Sequence, residues 1–148
     1  MKGAALARAS WVGTAVFSIT ALVACLAGAA MPIAVVVDAA LFLAGIGAFA
    51  VALVSAAARS REAEMGIGGL FFLAGSAGPS ERRALLGSLA VEVVVALATS
   101  AARPFTALAF GILVPTYGLG LAGVWGARHG TFGPRIAPPP RPGAKRTR

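Results

Sequence analysis

WVGTAVFSITALVACLAGAA, residues 11–30, holds no charged side chain, and its length decides the class of the whole chain. At about 1.5 Å of rise per residue, about 20 helical residues match a hydrocarbon core of roughly 30 Å. Inside lipid the backbone N–H and C=O groups must find partners within the segment itself, so an apolar run of this length reads as a membrane-spanning helix. Met31 and Pro32 mark its end, because Pro lacks the N–H that would continue a helix and restricts the residue before it. A second apolar run follows over 33–58, interrupted only by Asp38, and stops at the charged stretch Arg59-Ser60-Arg61-Glu62-Ala63-Glu64. The third, 84–102, carries Glu92 in its middle; the fourth, 104–127, is uncharged, with Pro104 suited to a first helical turn and Pro115 to a mid-helix kink.

Composition agrees with this reading. Of 148 residues 58% are hydrophobic and only 12% charged, too few to give a soluble domain its polar surface. The expectation is one all-α polytopic membrane domain of four transmembrane helices. Residues 1–10 form a basic N-terminus, 59–83 a loop, and 128–148 a basic, Pro-rich tail expected to be disordered because it has little apolar surface to bury.

Charge sets the expected orientation, since short loops rich in Lys and Arg stay in the cytoplasm. With four spans, Lys2, Arg8, Arg59, Arg61, Arg82, Arg83, Arg128, Arg135, Arg141, Lys145, Arg146 and Arg148 share one side, twelve of the thirteen basic residues; only Arg103 falls on the other. Both termini are therefore expected in the cytoplasm, with the chain a multi-pass protein of the inner (plasma) membrane. A competing reading takes Lys2, Arg8 and the apolar run as a cleavable signal peptide, with Leu22-Val23-Ala24-Cys25 as a lipobox, leaving three spans. The count of basic groups opposes three spans. Cys25, the single cysteine, can form no internal disulfide and reads as a lipid-buried thiol.

Ionisable residues inside spans are the sharpest functional signal, because a charge at mid-bilayer costs several kcal/mol and is seldom kept without a partner or a role. Ser88, Glu92, Thr99 and Arg103 recur at intervals of four, seven and four and share one helical face. Tyr117, Thr116 and Ser18 fall at a depth similar to Glu92 and are candidate hydrogen-bond partners for its carboxyl group. Asp38 and Arg103 are the candidate ion pair at the outer side. Glu92 then reads either as a proton- or cation-exchanging carboxyl, or as a neutral, hydrogen-bonded acid that orients helices. The second is preferred, since a single acid with no second carboxylate, His or Lys at its depth makes a thin relay.

On the fourth span Gly111, Pro115, Gly118, Ala122 and Gly126 form a strip where another backbone can approach closely. Within the loop, residues 65–77 are apolar but too short to span. They read either as an interfacial or re-entrant segment, with Phe71 and Phe72 at the headgroup boundary, or as a Gly-rich connection resting against the bundle. At the exit of span four, Trp125, Arg128 and His129 read as interfacial anchors.

The stretches GIGGLFFLAGSAGP and PFTALAFGILVPTYGLGLAGVWGARHGTFGPR resemble a family of small, uncharacterised integral membrane proteins of high-GC Gram-positive bacteria, over roughly residues 40–135. The resemblance implies four-helix membrane architecture and a shared cytoplasmic exit motif, and carries no catalytic residue with it. Four spans also resemble small multidrug transporters, whose key glutamate lies in the first span, where this chain has none.

An isoelectric point near 11.6 invites nucleic acid, but topology and anionic lipid already account for basic loops, and no nucleic-acid partner is expected. CxxC, HExxH and paired carboxylates on one helix are all missing, so neither cofactor nor metal is expected. The preferred function is a non-catalytic accessory or assembly subunit of a larger membrane complex. The alternatives are an oligomeric proton-coupled transporter using Glu92 and a membrane enzyme with an unrecognised site.

Overall fold

The computed structural model describes residues 3–135. Five α-helices account for most of it: α1 (Ala4–Leu26), α2 (Met31–Arg59), α3 (Ile67–Phe71), α4 (Pro79–Ala102) and α5 (Pro115–His129), with 3₁₀ segments at Gly28–Ala30 and Ala107–Leu113. The only β-type pairing among the described residues is the isolated antiparallel bridge Ala63–Pro134. Four helical stretches are long and apolar enough to cross a membrane: α1, Gly28–Arg59, α4, and Ala107–His129.

Proline sets where helices start. Pro32, Pro79 and Pro115 each occupy the first turn of α2, α4 and α5, where the missing N–H would have had no helical partner anyway. Pro115 changes the expected shape of the fourth span. Instead of one helix with a kink over 104–127, residues 103–106 are non-helical, a 3₁₀ run follows, and the α-helix begins anew at Pro115. Phe105, at φ +60° and wholly exposed, sits in that non-helical turn.

The long helices form two parallel pairs. Ser10 meets Ser88 and Thr14 meets Glu92 at the same sequence offset of 78, so α1 and α4 run side by side in one direction. Gly45 faces the backbone of Thr116 and Tyr117, Ala52 faces Gly123, and Arg59 reaches Ala127, so α2 and α5 also advance together. Both described termini lie at one end of the bundle, where Gly3 packs beside Trp125 and His129. Arg8, Arg59, Arg82, Arg83 and Arg128 belong to that end by their helix positions, Arg61 and Arg135 by the chain that adjoins α2 there, and Arg103, just past α4, to the opposite end.

Helix α5 is the centre of the bundle, in contact with α1, α2, α3 and α4. Gly118, Gly120 and every residue from Ala122 to Ala127 are buried, as expected of a helix apolar on all sides. Small residues make this possible. A Cβ on Gly120 would come within 2.6 Å of the Gly45 carbonyl oxygen, so the α2 and α5 backbones touch with no side chain between them.

The end that carries the termini is closed by chain expected to be loose. Helix α3 tucks Leu70 and Phe71 against Ala52, Ala56, Val124 and Ala127, and Phe71 stacks on Phe49 at 4.7 Å. Phe71 is thus a core residue rather than a headgroup contact, whereas Phe72 and Ile67 are exposed. The tail is ordered at its start: α5 runs through His129, Thr131 N–H donates to Ser76 O, and Glu64 N–H donates to Gly133 O. The expectation of disorder over 128–148 fails for 128–135, because backbone pairing with residues 62–64 and 76 satisfies groups that a loose tail would give to water. The rest of that tail lies outside the described residues.

Candidate functional site

The polar seam between α1 and α4 is built by helical period. Ala7, Ser10, Thr14, Phe17, Ala21 and Ala24 follow one face of α1, and Leu85, Ser88, Glu92, Ala96 and Thr99 one face of α4; all are buried. Their apolar members close the seam at both ends, with Leu85 and Ala7 at one and Phe17, Ala21 and Ala96 at the other.

Glu92 lies at its centre with none of its surface exposed, and both carboxyl oxygens are engaged. Thr14 Oγ1 lies 2.8 Å from Oε1, and the Gly118 backbone N–H donates to Oε2 at 3.2 Å. Gly118 falls within the first turn of α5, so the carboxyl group sits at the positive end of a helix that starts inside the bundle because Pro115 starts it there. The approach demands glycine: a Cβ at 118 would come within 2.6 Å of Oε2 and 3.3 Å of the Leu89 Cα. One turn away, Ser10 and Ser88 share a hydrogen bond of 2.5 Å, and Ser88 also donates to Leu85 O.

The partners expected for Glu92 are mostly elsewhere. The Tyr117 hydroxyl donates to Ala9 O at 2.8 Å, reaching back to α1 rather than to the acid. Thr99 donates to Val95 O of its own helix, and among the described residues the Ser18 hydroxyl has no hydrogen-bond partner. Ser88 shares the seam but bonds Ser10. Thr14 and the Gly118 N–H hold the carboxyl instead. Thr14 is one hydroxyl in an apolar helix, and the N–H depends on where α5 restarts, so only α1's period could have hinted at the first.

Asp38 is the second buried acid, and its expected ion pair with Arg103 does not form. The residue is 1% exposed and among the described residues neither carboxyl oxygen has a hydrogen-bond partner, while Arg103 is exposed at the end of α4. The side chain of Asp38 faces inward from α2, Oδ2 lying 3.6 Å from where a Gly111 Cβ would be, beside the 3₁₀ run. A groove of about 240 Å³ bordered by Phe42, Leu43 and Phe110 adjoins it.

The strip expected on span four meets several neighbours. Gly111 faces Phe17 of α1, Gly118 faces α4, Ala122 packs with Ala7, Leu73, Leu85 and Trp125, and Gly126 lies on the Leu70 backbone of α3. The closest approach to α2 uses Gly120 and Gly123, outside that strip. Trp125, expected at the interface, is 4% exposed within the bundle, its ring 5.8 Å from that of His129. The chain around Gly3 and Leu73 covers it, which no local pattern announces. Arg128 is exposed and His129 half-buried.

Arg59, read from sequence only as a topology signal, caps α5. Its guanidinium donates to Ala127 O and to Gly130 O, placing positive charge on the negative end of the helix, with the Phe132 ring 5.8 Å away. Among the described residues no three His, Cys, Asp or Glu side chains gather to hold a metal ion. Set against family models, curated proteins and solved structures, the chain finds no match.

Proposed function

We propose that this chain is a four-span, non-catalytic accessory or assembly subunit of a larger membrane complex, its basic end with both termini facing the cytoplasm. The observation that carries the reading is that Glu92, the expected reactive group, has both oxygens committed to groups that join α1, α4 and α5. Thr14 Oγ1 also lies 2.9 Å from Ser10 O. Its one proton is shared between the carboxyl of α4 and the carbonyl of its own helix. A buried acid that ties three helices together serves architecture. The span α1 supplies Thr14 and Ser10, which supports its retention in the working protein. Orientation rests on the basic groups at one end of the bundle, and placement in a plasma membrane, with the resemblance to small four-span proteins, belongs to the same proposal.

Affinity purification of the full chain in a mild detergent, read by mass spectrometry, tests the assignment. Partners at fixed stoichiometry are expected, retained by Glu92→Gln, which preserves a donor and an acceptor at the same place. A chain recovered alone, with proton-linked flux in vesicles that Glu92→Gln abolishes, would overturn it.

One observation favours the transporter reading: Asp38, a buried acid without a hydrogen-bond partner among the described residues, lies beside a broken span, the arrangement in which unwound backbone lines ion sites. The same flux measurement with Asp38→Asn decides it.

A further inference from the structure

We propose that the groove between residues 73–79 and the head of α4 binds an anionic phospholipid. The groove has a volume of about 530 Å³ and is lined by Leu73, Pro79, Arg82, Arg83, Leu86 and Gly87, among others. Its two ends differ in chemistry. Arg82 and Arg83 are exposed at the second turn of α4, and among the described residues neither guanidinium forms an ion pair; Arg83 Nε donates only to Pro79 O, at 3.3 Å. Leu86 and Gly87 lie one helical turn further along, about 6 Å deeper at 1.5 Å per residue. Trp11 of α1 stands at that depth, half-exposed, its ring 3.7 Å from where a Gly87 Cβ would be. Cationic groups above an apolar wall with an aromatic ring at its edge match a phosphate head over the first carbons of an acyl chain.

The opposite wall is fixed. Leu73 is held at φ +54° and Gly75 at φ +73°, Ser76 Oγ donates to Gly69 O, and Ser76 O receives the Thr131 N–H. Glu81 is the acid nearest in sequence. Its carboxylate accepts the Ser80 hydroxyl and lies against Gly78 at the start of α4, which keeps it occupied at the helix N-terminus. Charge complementarity therefore selects an anionic head, and the apolar wall selects a lipid over free phosphate.

The site rests on the helices lying in a bilayer and not on the subunit assignment. The full chain, placed in nanodiscs of mixed phosphatidylglycerol and phosphatidylcholine and released for native mass spectrometry, should retain phosphatidylglycerol over phosphatidylcholine by roughly tenfold or more. Arg82→Gln with Arg83→Gln should abolish that preference. Arg61→Gln with Arg128→Gln, which removes equal charge from exposed positions elsewhere at the same end, should preserve it. Gly87→Leu, whose Cβ has ordinary room, should fill the groove and lower retention with both arginines intact. Equal retention of the two lipids by the unaltered chain would overturn the site. So would equal losses in the two double variants, or displacement of the lipid by soluble glycerol phosphate. Unfolding temperatures in pure phosphatidylcholine, matching the unaltered chain, show that each variant is folded. An unselective chain that still co-purifies with partners would remove the lipid site alone.

Discussion

Glu92 and Asp38 are both carboxylic acids buried in the bundle and facing the fourth span, yet their surroundings are opposite. Glu92 lies where α5 begins, with a threonine hydroxyl and a backbone N–H on its oxygens. Asp38 lies beside the 3₁₀ run that precedes Pro115, and among the described residues its oxygens have no hydrogen-bond partner. The helix restart explains the difference. In the first turn of α5 the glycine at 118 leaves its N–H open to a carboxyl group from α4, where a side chain would block the approach. The 3₁₀ segment aims no such donor at Asp38. A buried acid is thus kept here in two ways, as a joint between helices and as an unpaired group whose cost the fold sustains.

The contrast can be broken most forcefully at the glycine that creates it. Gly118→Leu should cost about 3 kcal/mol, since its Cβ meets the Glu92 carboxyl and the α4 backbone, neither with room to yield; unfolding of detergent-solubilised protein measures the loss. Asp38→Leu should move the other way and raise stability by about 2 kcal/mol, because an unpartnered buried polar group is removed without stranding a donor. A loss of stability in that variant would show that Asp38 has a partner, and would erase the contrast. Arg59→Gln should cost about 1 kcal/mol through the C-terminus of α5, with the seam around Glu92 left intact. The smallest effect belongs to Glu92→Gln, expected within about 1 kcal/mol in the same unfolding assay, together with loss of a carboxylic-acid band in the infrared.

How much of this could be read in advance follows from range. The apolar runs are local, and so is the period that places Ser88, Glu92 and Thr99 on one face of α4. Thr14 becomes Glu92's partner only because α1 and α4 lie parallel in one register, and nothing local in either helix encodes that. Depth alone makes Tyr117 a candidate partner, but depth leaves the azimuth of a side chain undetermined, and its hydroxyl turns to Ala9. For the same reason Asp38 and Arg103, both near the outer end, do not meet.

The sequence by itself determined four apolar segments, because the thickness of a bilayer and the need to pair backbone groups act on each segment alone. It also marked Pro115 as a point of discontinuity, since a missing N–H is a property of one residue. Only the tertiary structure decided that the discontinuity becomes a new helix start whose amide holds Glu92. It alone buried Trp125 under the chain around Gly3, turned Arg59 into a cap, and left Asp38 without a hydrogen-bond partner among the described residues. Those outcomes depend on which faces meet across helices, and facing is a property of the packed bundle.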